Sequence, residues 1–121
     1  MLGICGEKFA LGVFQVILKI MKNLDEKTKN KVIRVIQALI PEVDIYLFGS
    51  RATGQHHDRS DIDIALDGGK PLDRLEVGEV RDMLTASNIP YSFDIVDLHN
   101  VGEDLKNDIL NQGVLWSKRK Q

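Results

Sequence analysis

The stretch YLFGSRATGQHHDRSDIDIALDGG, residues 46–69, decides how the rest of the chain is read. Its apolar lead-in, Ile45-Tyr46-Leu47-Phe48, stops at Gly49-Ser50. Ten residues separate Ser50 from the first of two aspartates, Asp61 and Asp63, which alternate with Ile62 and Ile64. Asp61 to Leu66 alternates acid and aliphatic side chains, which is the two-residue period of a strand. Residues two apart in a strand share a face, so Asp61 and Asp63 project together while Ile62 and Ile64 enter the core. Carboxylates ~5–6 Å apart repel by roughly 1 kcal/mol at an effective dielectric of about 60, and by more once desolvated. A hard divalent cation reverses that sign, because Mg²⁺ takes oxygen ligands and pairs one or two carboxylates with substrate phosphates. The competing structural reading is a solvated edge strand with alternating acids.

Outward from this stretch, the elements follow from pattern and punctuation. Asp25 is a candidate N-cap, and Val32, Ile33, Val35, Ile36, Leu39 and Ile40 trace one face of a helix that Pro41 ends. Val43 to Phe48 reads as a buried strand, Ser50 to Gly54 as one helical turn, and Gln55 to Ser60 as a polar loop. Asp67-Gly68-Gly69 is a turn. Beyond Pro71, the arc Leu72, Leu75, Val80, Met83 and Leu84 predicts a second long helix, broken by Asn88-Ile89-Pro90. Tyr91 to Leu98 reads as a strand. Val101, Leu105 and Ile109 mark a last helix that Gly113 stops, with Val114-Leu115-Trp116 as a short edge strand. This order predicts an α/β (α+β) domain, a small mixed sheet of three to four strands flanked by helices.

Composition narrows the function classes. One domain is expected from 121 residues, and the single cysteine, Cys5, cannot form an internal bridge, which fits a reducing, cytoplasmic setting. A formal net charge of −2 supplies no bulk positive field for direct nucleic-acid binding. The apolar run Phe9 to Ile20 is too short and too interrupted to span a membrane. Residues 1–23 read as an N-terminal extension, either a helix or sequence upstream of a natural start at Met21, and 24–121 as the domain proper.

Two further features point the same way as the paired acids. Gly49 lets the main chain approach a ligand closely, and a strand turning at once into a helical stretch leaves backbone N–H groups that suit phosphate, with the Ser50 hydroxyl as one more donor. In YSFDIVDL, residues 91–98, Asp94 stands between Phe93 and Ile95. A lone aspartate in an apolar strand is costly unless paired or metal-bound, so Asp94 is the third candidate acid. Asp97 faces the other side of that strand. Other motifs fail: Gln55-His56 replaces the Lys and Ser/Thr of a P-loop, no GxGxxG follows a strand, and His56-His57 has no companion ligand pattern for zinc. Asp61-Ile62-Asp63-Ile64-Ala65 also lacks the Gly-Thr that follows the acids in phosphatases of DxD type.

FGSRATG with SDIDIAL, then FDIVDL and the closing LNQGVLWS, resembles the minimal nucleotidyltransferases (MNT) of the DNA polymerase beta-like superfamily, over about residues 24–117. The resemblance implies a nucleotidyltransferase fold in which Gly49 and Ser50 contact nucleotide phosphates and Asp61, Asp63 and Asp94 bind two Mg²⁺ ions. It implies transfer of a nucleotidyl group, AMP from ATP, to a hydroxyl acceptor. Arg51, Lys70 and Arg74 are cations that could meet phosphate charge, with Arg51 as a nucleotide-binding candidate; the competing reading of each is solvated surface. Minimal members are often paired with a HEPN-domain protein in toxin–antitoxin systems, where the nucleotidyltransferase is the antitoxin and adenylylates its partner. The alternative is a non-catalytic module that neutralises a HEPN partner by docking. Apolar side chains in the N-terminal stretch or around Trp116 offer a partner or homo-oligomer surface.

Overall fold

In a computed structural model, residues 26–54 and 61–119 are described. The N-terminal extension, the Asp25 cap and the loop carrying His56 and His57 lie outside them. The chain runs α1 (Glu26–Leu39), β1 (Asp44–Phe48), α2 (Ser50–Thr53), β2 (Ile62–Asp67), α3 (Arg74–Ala86), β3 (Phe93–Asp97), a 3₁₀ turn (Leu98–Asn100), α4 (Glu103–Gln112) and β4 (Val114–Ser117). One sheet forms in the order β3-β2-β1-β4. β1 pairs antiparallel with β2 and β4, whereas β2 and β3 are parallel, as the α3 crossover between them requires. The predicted class is therefore borne out, with four strands in a mixed sheet.

Strand alternation divides the side chains between two layers. Ile45 and Leu47 of β1, Ile62, Ile64 and Leu66 of β2 and Ile95 of β3 pack with Val32 and Ile36 of α1 and Val80 and Leu84 of α3. The intervening residues face α4, where Ala65, Leu98 and Ile109 are buried with Tyr46, Phe48 and Val96 against them. Asp44, Asp63, Asp67 and Asp94 thus belong to the α4 side of the sheet.

The arc expected for α3 needs correction. Leu75 is 75% exposed and Met83 48%, while Val77 packs with Val80 and Leu84. Leu72 precedes the helix, and Leu75 falls almost opposite the Val77–Val80–Leu84 stripe at 100° per residue. β3 also stops one residue earlier than expected. The buried Asp97 carboxylate accepts the His99 N–H at 3.0 Å, an Asx-type turn that ends the strand, and the Leu72 N–H at 2.7 Å. No helix among the described residues is long and apolar enough to cross a membrane.

At the end of the sheet where β2 finishes, the acids are compensated. Asp67 pairs with His99 Nε2 at 2.6 Å, accepts the Gly69 N–H at 2.8 Å and lies 3.6 Å from Arg119. Asp44, its cross-strand partner, accepts the Arg119 N–H at 2.6 Å, which ties the segment after β4 to β1. Burial alone would raise the Asp67 carboxyl, but the Gly69 N–H, His99 and Arg119 outweigh it and hold it below its ordinary range. A depressed carboxyl stabilises the fold above its unfolded value and loses that contribution as pH falls through the folded value. Asp67→Asn should therefore lower stability at pH 7 by about 1 kcal/mol in urea unfolding, and the two curves should converge below about pH 4.

Candidate active site

The antiparallel pair β1–β2 and the parallel pair β2–β3 together bring three strands to one place. Phe48 pairs with Asp63, and Asp63 pairs with Asp94, so the residue before Gly49 and both strand acids lie side by side on the α4 face. Asp61 is exposed just ahead of β2, and the Ile62 N–H donates to the Ser92 carbonyl at 2.9 Å, fixing the entry of β2 against the lead into β3. Gly49 has φ 74° and ψ −153°, a conformation strained for any residue with a Cβ. A Cβ there would also overlap the Asp63 carboxylate. The turn is thus glycine for two independent reasons. Its carbonyl then accepts the Ala52 N–H at 3.1 Å, opening the short α2 with Ser50 as first residue.

At this end the balance tips the opposite way from Asp67. Burial, then the charge of Asp94, then that of Asp61 raise the Asp63 carboxyl above its ordinary range, against the pull of the Arg51 guanidinium. The cross-strand neighbour outranks the sequence neighbour that first drew attention. Oxygen donors with net negative charge suit a hard cation. Among the described residues, however, no three His, Cys, Asp or Glu side chains are already drawn onto one point as a cage for an ion. The acids are electrostatically coupled and still spread along two strands.

Arg51, expected beside phosphate, is only 2% exposed and stacks over Tyr91 at 4.8 Å from the ring centre. It bridges α2 to the segment that leads into β3, and so braces the turn against the strand carrying Asp94. Sequence reading missed Tyr91 in this role, since nothing local marks a partner forty residues away. Lys70 and Arg74 lie past the opposite end of β2 from Asp63, beyond Asp67, and do not join the acids. A cleft of about 400 Å³ opens beside the turn, between Gly49-Ser50 and α4 residues Leu105, Asp108 and Gln112.

A raised carboxyl costs the fold stability once ionised: the contribution is lost as pH rises from the ordinary carboxylate value through the folded one. In metal-free buffer, Asp63→Asn should be more stable than wild type at pH 7 by on the order of 0.5 kcal/mol, screening allowed for. That advantage should fade in acid; a variant less stable than wild type at pH 7 would contradict the assignment.

Residues 30–121 match the family described as Polymerase beta, Nucleotidyltransferase. Over 99 residues the chain is 34% identical to protein adenylyltransferase MntA of Shewanella oneidensis, covering 80% of this chain and 70% of that protein. A solved structure of a toxin–antitoxin with AMP-PNP contains a chain 35% identical, with TM-score 0.66 over 77% of this chain and 75% of that one. Another, a tri-AMPylated Shewanella oneidensis HEPN toxin in complex with MNT antitoxin, matches at 30% identity and TM-score 0.63, over 78% of this chain and 73% of that one. With a match that runs from α1 to the C-terminus, the chain belongs to the polymerase beta nucleotidyltransferase family.

Proposed function

We propose that this protein is a protein adenylyltransferase that moves AMP from ATP to a hydroxyl group on a HEPN-type partner and thereby acts as its antitoxin. The observation that carries this reading is the register placing Asp63 beside Asp94 against the Gly49 turn. The similarity to a protein adenylyltransferase, and to chains solved with AMP-PNP and with an AMPylated HEPN toxin, supports the choice of nucleotide and acceptor.

In this reading the exposed, side-chain-free Gly49 and the Ser50 hydroxyl receive the outer phosphates of ATP. Asp61, Asp63 and Asp94 would hold two Mg²⁺ ions, which would supply positive charge against the phosphate oxygens and the departing pyrophosphate. The acceptor oxygen attacks the α-phosphorus as the bond to pyrophosphate breaks. Asp94, exposed where Asp63 is half-buried, takes the acceptor proton. Arg51 positions: its guanidinium keeps Asp63 from drifting toward its protonated form and braces the turn on Tyr91.

Incubation with Mg²⁺, α-labelled ATP and the HEPN-type partner should label the partner. Asp63→Asn/Asp94→Asn should cut that labelling at least 100-fold, and EDTA should abolish it. An unlabelled partner that is still bound and neutralised by the double variant would favour a docking module instead.

A further inference from the structure

We propose that the groove between α3 and the outer edge of β3 is a docking site for an extended acidic segment of a protein partner, with Arg74 and Arg81 receiving its carboxylates. The groove runs along the later half of β3 and shares no residue with the paired acids or the Gly49 turn, so it stands independently of adenylyl transfer.

Three observations converge. First, the groove, about 340 Å³, is basic where it is polar. Arg74 and Arg81 are seven residues apart on α3, so they share a face with about 10 Å between them along the axis. Both are exposed, and among the described residues neither forms an ion pair. The acid lining the groove, Asp97, is buried and already accepts the Leu72 and His99 N–H groups. Second, β3 is the last strand of its sheet, with a neighbour on the β2 side only, and an open edge pairs with extended chain. Third, Gly78 stands between the two arginines on the groove. A glycine inside a helix is destabilising relative to alanine. The fold gives no steric reason for one here, since a Cβ would meet nothing within 4 Å. The bare position keeps the groove open between the two cations.

These features fit a linear occupant better than a compact anion. Alternate side chains of an added strand face the groove, so the order acid-x-apolar-x-acid sets two carboxylates about 13 Å apart with an apolar residue midway. Two arginine side chains rooted about 10 Å apart reach that span. The apolar residue meets Leu72, Val77 and Val101. Arg81 donates to the Ile95 carbonyl at 3.2 Å, which holds its guanidinium at the strand and leaves the rest of its fork for a carboxylate. A free phosphate would leave the apolar lining uncovered.

Fluorescence anisotropy on the full chain at low salt tests this. The probes are a labelled peptide carrying two glutamates four residues apart with a valine midway, its glutamine counterpart, and inorganic phosphate as competitor. Wild type should bind the glutamate peptide about 10-fold more tightly than the glutamine peptide, and less tightly as salt rises. Arg74→Gln and Arg81→Gln should each weaken the glutamate peptide about fivefold; both positions are exposed, and a glutamine amide at 81 can still donate to the Ile95 carbonyl. Gly78→Leu, which fills the groove from an open position, should abolish binding, with an unfolding midpoint at or above that of wild type. If that variant fails to fold, the two arginine variants decide. Asp63→Asn/Asp94→Asn should bind the peptide as wild type does, which separates this site from the acids. No binding by wild type, equal binding of the two peptides, or binding untouched by the arginine and Gly78→Leu variants overturns the docking site. Displacement by low-millimolar phosphate overturns it in favour of a small-anion site.

Discussion

The parallel register between β2 and β3 is the constraint on which the site depends. It sets Asp63 directly beside Asp94, two like charges that a fold has no packing reason to bring together. Around that pair the remaining features make sense as accommodation. Gly49 yields its side chain so that the turn can lie against the Asp63 carboxylate, and Arg51 is buried under Tyr91 where its charge still reaches that carboxylate. The hydrophobic layer beneath, Ile62 and Ile64 with Ile95, holds the two strands in the register that makes the repulsion unavoidable.

The same face of the sheet carries a built-in comparison. One strand-length away, Asp44 and Asp67 are also cross-strand neighbours, yet Arg119, His99 and the Gly69 N–H surround them and hold Asp67 below its ordinary range. At the Gly49 end, Asp63 moves the opposite way. Two acidic pairs on one face of the sheet thus shift in opposite directions, Asp67 lowered by the groups around it and Asp63 raised by burial and by Asp94 and Asp61 against the pull of Arg51. Ala65 and Ile109, both buried, separate the two ends.

Much of this was legible in the residue order. Alternating Asp and Ile at 61–64 shows a strand with a polar and an apolar face, and the glycine after Phe48 marks a backbone that needs close approach. Facing also separates Asp94 from Asp97, and Asp97 is indeed turned to the other side, occupied by two backbone N–H groups. What local sequence does not carry is pairing across distance. The rank of Asp94 above Asp61 as a neighbour of Asp63 comes from register, and the burial of Arg51 comes from a tyrosine forty residues on. Leu75 and Met83 were misplaced because apolar character alone does not decide which side of a helix meets the sheet; the narrower stripe through Val77, Val80 and Leu84 does.

Burial and then the neighbouring Asp94 charge raise the Asp63 carboxyl, and a carbon-13 NMR titration of that carboxyl in metal-free buffer measures both. The account predicts a midpoint above the ordinary carboxylate range in wild type that falls back toward it in Asp94→Asn. A wild-type midpoint at or below the ordinary range, or one that Asp94→Asn leaves in place, would contradict it.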